Sequence, residues 1–188
     1  MRGQSGRRRG GSLLGAPKTC SMKALDRIAE KVLNNPGMPG KAVKDFTLPS
    51  TGATPFRLSS TRGRKVVLYF YPKDNTPGCT TEGSDFRDRY REFARAGCEV
   101  YGVSRDSLKS HQSFKAKMKF PFDLLSDAEE TVCAQFGVIK QKNMYGRQVR
   151  GIERSTFVLD KDGVIAREWR GVKVPGHAEE VLNFVKAL

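Results

Sequence analysis

The sequence predicts an α/β domain in which a central mixed sheet is flanked by helices. Short apolar runs rich in β-branched and aromatic residues, such as Val66–Tyr71, lack alternation and are typical of strands buried on both faces of a sheet. Segments with helical spacing of their apolar residues separate these runs. Near the end of the chain, Asp162-Gly163 is a turn signal between two further runs, and it predicts antiparallel pairing. Alternating strands and helices predict a layered domain, and the hairpin makes its sheet mixed.

The chain is predicted to be one domain that follows a basic extension. Residues 1–21 are rich in Gly, Arg and Ser and are predicted to be disordered. We interpret them as an upstream extension rather than a transit peptide, because they lack an amphipathic pattern. Residues 22–40 are predicted to form an extra helix and a linker, since their apolar residues share one helical face. Residues 41–188 are predicted to be the domain itself, which is long enough to bury a core.

The first predicted element of the domain is an N-terminal β-hairpin. Two strand-like pieces, 42–48 and 54–58, are separated by Ser-Thr-Gly, which favours a turn. The buried run Val66–Tyr71 follows, and Pro72 ends it. Aromatic residues then recur at spacings of four and three, which predicts a helix with Cys79 in its first turn.

The second half of the domain continues the same alternation. A buried strand and a polar helix are followed by a short strand, a helix that Ser126 or Asp127 caps, a hairpin and a last helix. These predicted elements are Cys98–Ser104, Leu108–Lys119, Phe122–Leu125, a helix through Phe136, Thr156–Leu159 with Val164–Trp169, and Ala178–Leu188.

Composition and charge exclude some classes of protein. No apolar run approaches the roughly 20 residues that span a bilayer. The formal net charge is +14, and six of the basic residues lie in the acid-free first 23 positions. A basic arm of this kind without interleaved aromatic residues is weak support for nucleic-acid binding, so we expect no nucleic-acid or membrane partner.

Cysteine usage predicts a reducing compartment, and therefore a cytoplasmic protein. The chain has four cysteines, Cys20, Cys79, Cys98 and Cys133, and no two have the close spacing of a zinc site or a Cys-x-x-Cys motif. Few and scattered cysteines argue against a disulfide-stabilised secreted domain. The sequence also has no Gly-rich phosphate loop after a strand, so we expect no bound cofactor.

The junction between strand and helix at Cys79 is the candidate reactive site. Backbone N–H groups in the first turn of a helix are unpaired, and the helix dipole favours an anion there. A thiol at this position is expected to ionise more easily than a free one, and the thiolate is the nucleophile. Thr76 supplies a hydroxyl for the thiolate or a substrate oxygen, and Pro72 supplies an apolar wall without an N–H.

The segment Tyr71–Thr80, with the sequence YPKDNTPGCT, resembles the active site of the peroxiredoxins. Their signature is Pro, three residues, Thr, two residues, Cys, and the chain is most similar to the bacterioferritin comigratory protein or peroxiredoxin Q subfamily. The resemblance extends over about residues 41–188. It includes the flanking segments DFTLP from Asp45, LLSD from Leu124, FGV from Phe136 and RSTFVLD from Arg154.

This resemblance implies a thioredoxin-like fold and an antioxidant peroxidase. Cys79 would attack hydrogen peroxide or an organic hydroperoxide and become a sulfenic acid. Thr76 would orient the peroxide, and Pro72 would shield the sulfenate from over-oxidation. Arg154 matches the family's arginine, whose planar fork suits it to hold both a thiolate and a peroxide oxygen. Without the resemblance, Arg154 is one of 34 lysines and arginines.

The sequence departs from the subfamily at the second cysteine. Many members carry a resolving cysteine five residues after the first, where this chain has Ser84, and others place it on the next helix, which has none here. Cys98 and Cys133 fall in apolar segments typical of core residues, and Cys20 lies in the extension. The sequence therefore predicts a one-cysteine mechanism in which thioredoxin, glutaredoxin or glutathione is the reductant, in a monomer or weak dimer.

Two other functions remain open at this stage. A thiol–disulfide oxidoreductase is disfavoured, because that chemistry needs a paired thiol near Cys79. A redox-regulated chaperone or nucleic-acid-associated protein would use the basic charge. His111 and His177, the only histidines, lie in polar segments and are predicted to be solvated surface residues.

Overall fold

The apolar run after Lys65 forms the centre of a five-stranded mixed sheet in the computed structural model, which describes residues 39–144 and 147–188. The predicted disordered extension, the predicted helix of residues 22–34 and Cys20 all lie outside the described residues. The strands are β1 (Thr47–Leu48), β2 (Phe56–Arg57), β3 (Lys65–Phe70), β4 (Cys98–Ser104), β5 (Asp123–Ser126), β6 (Ile139–Met144), β7 (Arg147–Ile152), β8 (Ser155–Leu159) and β9 (Ile165–Arg170). The α-helices are α1 (Pro77–Arg95), α2 (Leu108–Met118), α3 (Thr131–Gln135) and α4 (His177–Ala187).

The order of the strands in the central sheet is β5-β4-β3-β8-β9. β3, β4 and β5 are parallel, whereas β8 runs antiparallel to β3 and β9 antiparallel to β8. The carboxyl ends of the three parallel strands therefore share one edge, which is where α/β sheets place ligands. The predicted mixed sheet and its closing hairpin are confirmed. None of the helices in the described ranges is long and apolar enough to cross a membrane.

Alternation along β3 divides the core between the two faces of the sheet. Val66, Leu68 and Phe70 point to one face, where Cys133 of α3 packs. Val67, Tyr69 and Tyr71 belong to the core of the other face, against α1, α2 and α4. Because every β3 residue after Lys65 is almost fully buried, each large side chain contributes about 1.5–3 kcal/mol of transfer free energy. The buried, non-alternating run predicted from the sequence is confirmed.

The N-terminal hairpin is present but shorter than predicted. β1 and β2 pair antiparallel over two residues each. Ala42, expected in the first strand, instead forms an isolated bridge with Val164 near the end of the domain. The Asp45 carboxylate, just before β1, accepts hydrogen bonds from the Ser59 N–H and from Arg57, which ties the start of the hairpin to its end.

Two further elements differ from the prediction. The hairpin of β6 and β7 was not predicted, because its polar sequence has no alternation of apolar residues. The helix expected to start after Ser126 or Asp127 begins at Thr131. Asp127 still satisfies its first turn, since its carboxylate accepts hydrogen bonds from the backbone N–H groups of Thr131 and Cys133.

Candidate active site

Cys79 lies in the first turn of α1, at the carboxyl edge of the parallel strands. Thr76 is the N-cap with extended backbone, and Pro77 opens the helix, where its missing N–H costs nothing. The Cys79 side chain is 2% exposed. The sulfur therefore sits near the positive end of a 19-residue helix and is largely shielded from water.

Arg154 contacts the sulfur directly. It precedes β8, the antiparallel neighbour of β3, and its Nη2 donates a hydrogen bond to Cys79 Sγ at 3.2 Å. Gly78 permits this approach, because a Cβ there would lie 3.3 Å from Nη2. The Arg154 backbone carbonyl accepts a hydrogen bond from the Val172 N–H at 3.0 Å, which anchors the residue from the loop after β9.

Glu82 holds the other side of the Arg154 guanidinium, and the sequence analysis missed it. It lies one turn after Cys79, is 1% exposed, and its Oε2 is paired with Arg154 Nη1. Burial raises the pKa of Glu82 to about 7, although Arg154 opposes that rise. Burial disfavours the charge of Arg154, but Glu82 and Cys79 together raise the pKa of Arg154 above its ordinary value. Its position in the helix could have predicted its burial, because Glu82 lies on the same helical face as the buried Cys79 and Phe86.

Thr76 makes its side-chain hydrogen bond within the loop before α1, and Pro72 lines a neighbouring cleft. The Thr76 hydroxyl donates to the Lys73 carbonyl at 3.1 Å, instead of to the thiolate as the sequence analysis allowed. Its lone pairs remain free to accept a hydrogen bond. Pro72 is half-buried and lines an open cleft with Lys73 and Arg105, at the ends of the parallel strands.

The prediction that both histidines are solvated is wrong. His111 is fully buried on α2, where its ring contacts Asp74, and His177 is buried at the start of α4 beside the Thr156 hydroxyl. Burial, with a contribution from Arg154, lowers the pKa of His177 to about 4. Polar neighbours in the sequence concealed both residues, because α2 buries only His111 and Phe114.

The two other described cysteines are core residues, as predicted. Cys98 and Cys133 are buried, and neither is in a disulfide. Burial raises the pKa of Cys98 to about 12, and burial with the nearby Asp127 carboxylate also raises the pKa of Cys133. Across residues 39–144 and 147–188, no group of three or more His, Cys, Asp or Glu side chains is arranged to hold a metal ion.

A buried cysteine at a helix N-terminus, with an arginine hydrogen-bonded to its sulfur and a mixed sheet beneath it, is an arrangement suited to a nucleophilic thiol. The model of the AhpC/TSA family matches residues 39–168, and the chain belongs to this family. The predicted resemblance to the peroxiredoxins and the predicted fold class are thereby confirmed.

Curated relatives agree with this assignment. Peroxiredoxin Bcp of Xanthomonas campestris pv. campestris is 54% identical over 146 residues, which cover 78% of this chain and 91% of that protein. Peroxiredoxin Bcp of Bacillus subtilis is 46% identical over 147 residues, which cover 78% of this chain and 94% of the relative.

Solved structures show the same fold. Peroxiredoxin Q of Xanthomonas campestris superposes with a TM-score of 0.73 at 54% identity, covering 76% of this chain and 90% of that one. Peroxidoxin BcpB of Mycobacterium tuberculosis superposes with a TM-score of 0.71 at 38% identity, covering 80% of this chain and 97% of that one. The structures of the Xanthomonas bacterioferritin comigratory protein concern its alkyl peroxide reduction activity and include trapped intermediate and ligand complexes.

Proposed function

We propose that this chain reduces hydrogen peroxide and organic hydroperoxides at Cys79, and that an external thiol completes the cycle. The observation that carries the proposal is that no second cysteine among the described residues lies within reach of Cys79. The alkyl peroxide reduction activity of the Xanthomonas relative supports organic hydroperoxides as substrates.

In the proposed first step, the Cys79 thiolate attacks the terminal oxygen of the peroxide. The S–O bond forms as the O–O bond breaks, and the leaving oxygen takes a proton to become an alcohol or water. The sulfur is oxidised to a sulfenic acid. Arg154 contacts the sulfur and is placed to stabilise the charge that moves to the leaving oxygen, which is where preorganised donors contribute most.

Thr76, Pro72 and Glu82 support that step. Because the Thr76 proton is committed to the Lys73 carbonyl, its oxygen is free to accept the hydrogen bond of the peroxide O–H and so orient the attack. Pro72 walls the site with apolar surface, which limits water and over-oxidation. Glu82 is a positioning residue, since it holds the guanidinium of Arg154.

In the proposed second step, an external thiol attacks the sulfenic acid. A mixed disulfide forms and water leaves. A second thiol then attacks the mixed disulfide, which releases Cys79 and a disulfide of the reductant. Thioredoxin, glutaredoxin and glutathione each supply the two thiols that this balance needs.

Cys98 lies too far from the site to resolve the sulfenic acid. It is paired in register with Lys65, at the start of β3. Tyr69 lies at the end of β3 that is close to Cys79. Burial raises the pKa of Tyr69, and the nearby Glu82 and Cys79 raise it further. Tyr69 lies four residues after Lys65, about 13 Å at 3.3 Å per residue. A disulfide needs Cα atoms within about 7 Å.

Cys133 lies on the wrong face of the sheet. It packs with Leu68 and Phe70, whereas Cys79 packs with Tyr69 and Tyr71 on the opposite face. Its raised pKa also leaves it as an unreactive thiol at neutral pH. Free cysteines at the described positions suit a reducing compartment, so we propose a cytoplasmic location. A monomer or weak dimer remains what the family resemblance implies.

Mass spectrometry after one equivalent of peroxide, without added thiol, tests this proposal. We expect a sulfenic acid at Cys79, trapped by dimedone, and no major intramolecular disulfide. In a parallel sample without dimedone, glutathione added after the peroxide is expected to give a mixed disulfide at the same residue. A dominant disulfide between Cys79 and Cys20, Cys98 or Cys133 would refute the one-cysteine mechanism.

A further inference from the structure

A single buried carboxylate clamps the loop that joins Pro72 to Thr76. Asp74, two residues from each, is 5% exposed. Its Oδ1 accepts a hydrogen bond from the Tyr71 hydroxyl at 2.8 Å, and its Oδ2 accepts one from the Ser110 hydroxyl at 2.7 Å. The Asp74 backbone N–H donates to Asp106 Oδ2 at 2.9 Å. The loop is thus tied to β3, to α2 and to the turn after β4.

The ring of His111 completes the clamp, and both of its nitrogens face acceptors. Nδ1 lies 2.9 Å from Asp74 Oδ2, and Nε2 lies 3.2 Å from the Leu125 carbonyl of β5. The Tyr71 hydroxyl, 3.4 Å from Nδ1, gives its one proton to Asp74 and supplies none to the ring. Because the Asp74 carboxylate can only accept a hydrogen bond, Nδ1 is assigned as the donor that joins the ring to Asp74.

The charge of Asp74 agrees with that assignment. Burial alone would raise its pKa, but hydrogen bonds from His111, Ser110 and Tyr71 hold the pKa of Asp74 below its ordinary value. The carboxylate is therefore ionised and accepts the hydrogen bond from His111 Nδ1. The other ionisable groups in contact with the pair are Tyr71, whose pKa burial raises so that it stays neutral, and Asp106 on the Asp74 N–H.

We propose that His111, buried and hydrogen-bonded to Asp74, is a positioning residue for the peroxidase reaction. It holds the loop that presents Pro72 and Thr76 to the peroxide at Cys79. The inference rests on the roles proposed above for those two residues.

Backbone geometry in the loop supports a positioning role. Asn75, between Asp74 and Thr76, has φ +58°, in the left-handed region that asparagine adopts more often than most non-glycine residues. The hydrogen bonds of Asp74 to Asp106 and His111 hold the residue next to this turn, so they fix the conformation of the loop.

The test compares two reactions of Cys79. Peroxide oxidation needs Thr76 and Pro72 in place, whereas alkylation by iodoacetamide needs only an accessible thiolate. We expect His111→Leu to slow oxidation by about tenfold or more, since a misplacement of about 1 Å costs that much, and to change alkylation by less than about twofold. His111→Asn keeps one N–H for Asp74 and is expected to recover part of the oxidation rate.

Phe114→Leu is the matched control, because Phe114 is the other buried residue of α2 and makes no hydrogen bond to the clamp. We expect it to change neither rate by more than about twofold. Asp74→Asn, which neutralises the partner, is expected to slow oxidation like His111→Leu and serves if that variant does not fold. Correlation NMR of wild type should show a proton on Nδ1 of His111, the nitrogen that faces Asp74.

Three results would overturn the inference. These are an oxidation rate unchanged in both His111→Leu and Asp74→Asn, a parallel rise in alkylation that signals a loosened fold, and a His111 Nδ1 that carries no proton. Wild-type Cys79 that does not react with peroxide would instead refute the proposed function, which distinguishes the two failures.

Discussion

Arg154 lies between two groups that could each carry negative charge, with Nη2 on the Cys79 sulfur at 3.2 Å and Nη1 on the buried Glu82 carboxylate. The two acceptors are one helical turn apart on α1, while the arginine comes from the strand beside β3. The guanidinium fork matches this spacing, because it presents parallel N–H groups in a fixed plane. This contact joins the helix dipole, the thiol and the sheet into one site.

Arg154→Lys should show that the fork matters as well as the charge. We expect the second-order rate of peroxide reduction to fall by about 10²–10³, as for the loss of a preorganised donor. Lysine keeps the charge but cannot bridge Cys79 and Glu82. Stopped-flow measurement of Cys79 oxidation checks the rate. Arg150→Lys, an exposed arginine in the same part of the chain, is the control and should be neutral. An Arg154→Lys rate near wild type would contradict the assigned role.

Glu82→Gln should flatten the dependence of stability on pH. The pKa of Glu82 is raised to about 7 in the folded protein, so the native state binds a proton more tightly than the unfolded chain. Stability is therefore lost as pH rises from about 4.5 to about 7. From 1.36 kcal/mol per pKa unit, the loss from this residue is on the order of 3 kcal/mol. Urea unfolding at pH 5 and 7.5 should show a larger decrease in wild type than in the variant. Equal decreases would contradict the burial argument.

Ser84→Cys should restore a two-cysteine cycle. After one equivalent of peroxide we expect an intramolecular disulfide between positions 79 and 84 instead of a stable sulfenic acid. Positions five apart on a helix do not face each other, so α1 must unwind locally, and circular dichroism should show a loss of helix. Mass spectrometry identifies the bond, and Ser60→Cys, at an exposed position outside α1 and α2, is a control. Persistent sulfenic acid in Ser84→Cys would indicate that this helix cannot open.

Gly83→Ala should destabilise the fold where α1 meets Phe120. An added Cβ would lie 2.5 Å from Phe120 Cζ, which forces the ring to shift. Overpacking of this kind costs about 1–3 kcal/mol. Gly151→Ala is the matched control, because a Cβ there meets nothing within 4 Å. Urea unfolding of both variants measures the difference, and equal stabilities would contradict the packing.

Local patterns in the sequence were enough to predict the central strand, the helix that carries Cys79 and the closing hairpin. The run Val66–Tyr71 is apolar throughout because β3 is covered on both faces, so its burial can be inferred from its composition alone. The hairpin of β6 and β7 could not be predicted in this way, since its strands are polar and pair only with each other.

Only those residues of the site that a motif or a local position in the sequence identifies could be predicted. Cys79 and its helix follow from local spacing, and Arg154 was assigned through the family resemblance. Glu82 and His111 were missed for the same physical reason, because each is a polar side chain whose burial depends on a partner far away in sequence. Charge in a sequence suggests exposure until such a partner is known.

The most direct test of the one-cysteine mechanism is peroxide turnover by a chain in which Cys79 is the sole cysteine. We expect the variant with Cys20, Cys98 and Cys133 all changed to serine to keep a turnover rate within about twofold of wild type, with thioredoxin, glutaredoxin or glutathione as reductant. Adding Cys79→Ser to it should abolish turnover. Loss of turnover in the sole-cysteine chain, with Cys79 still oxidised by peroxide, would contradict the account.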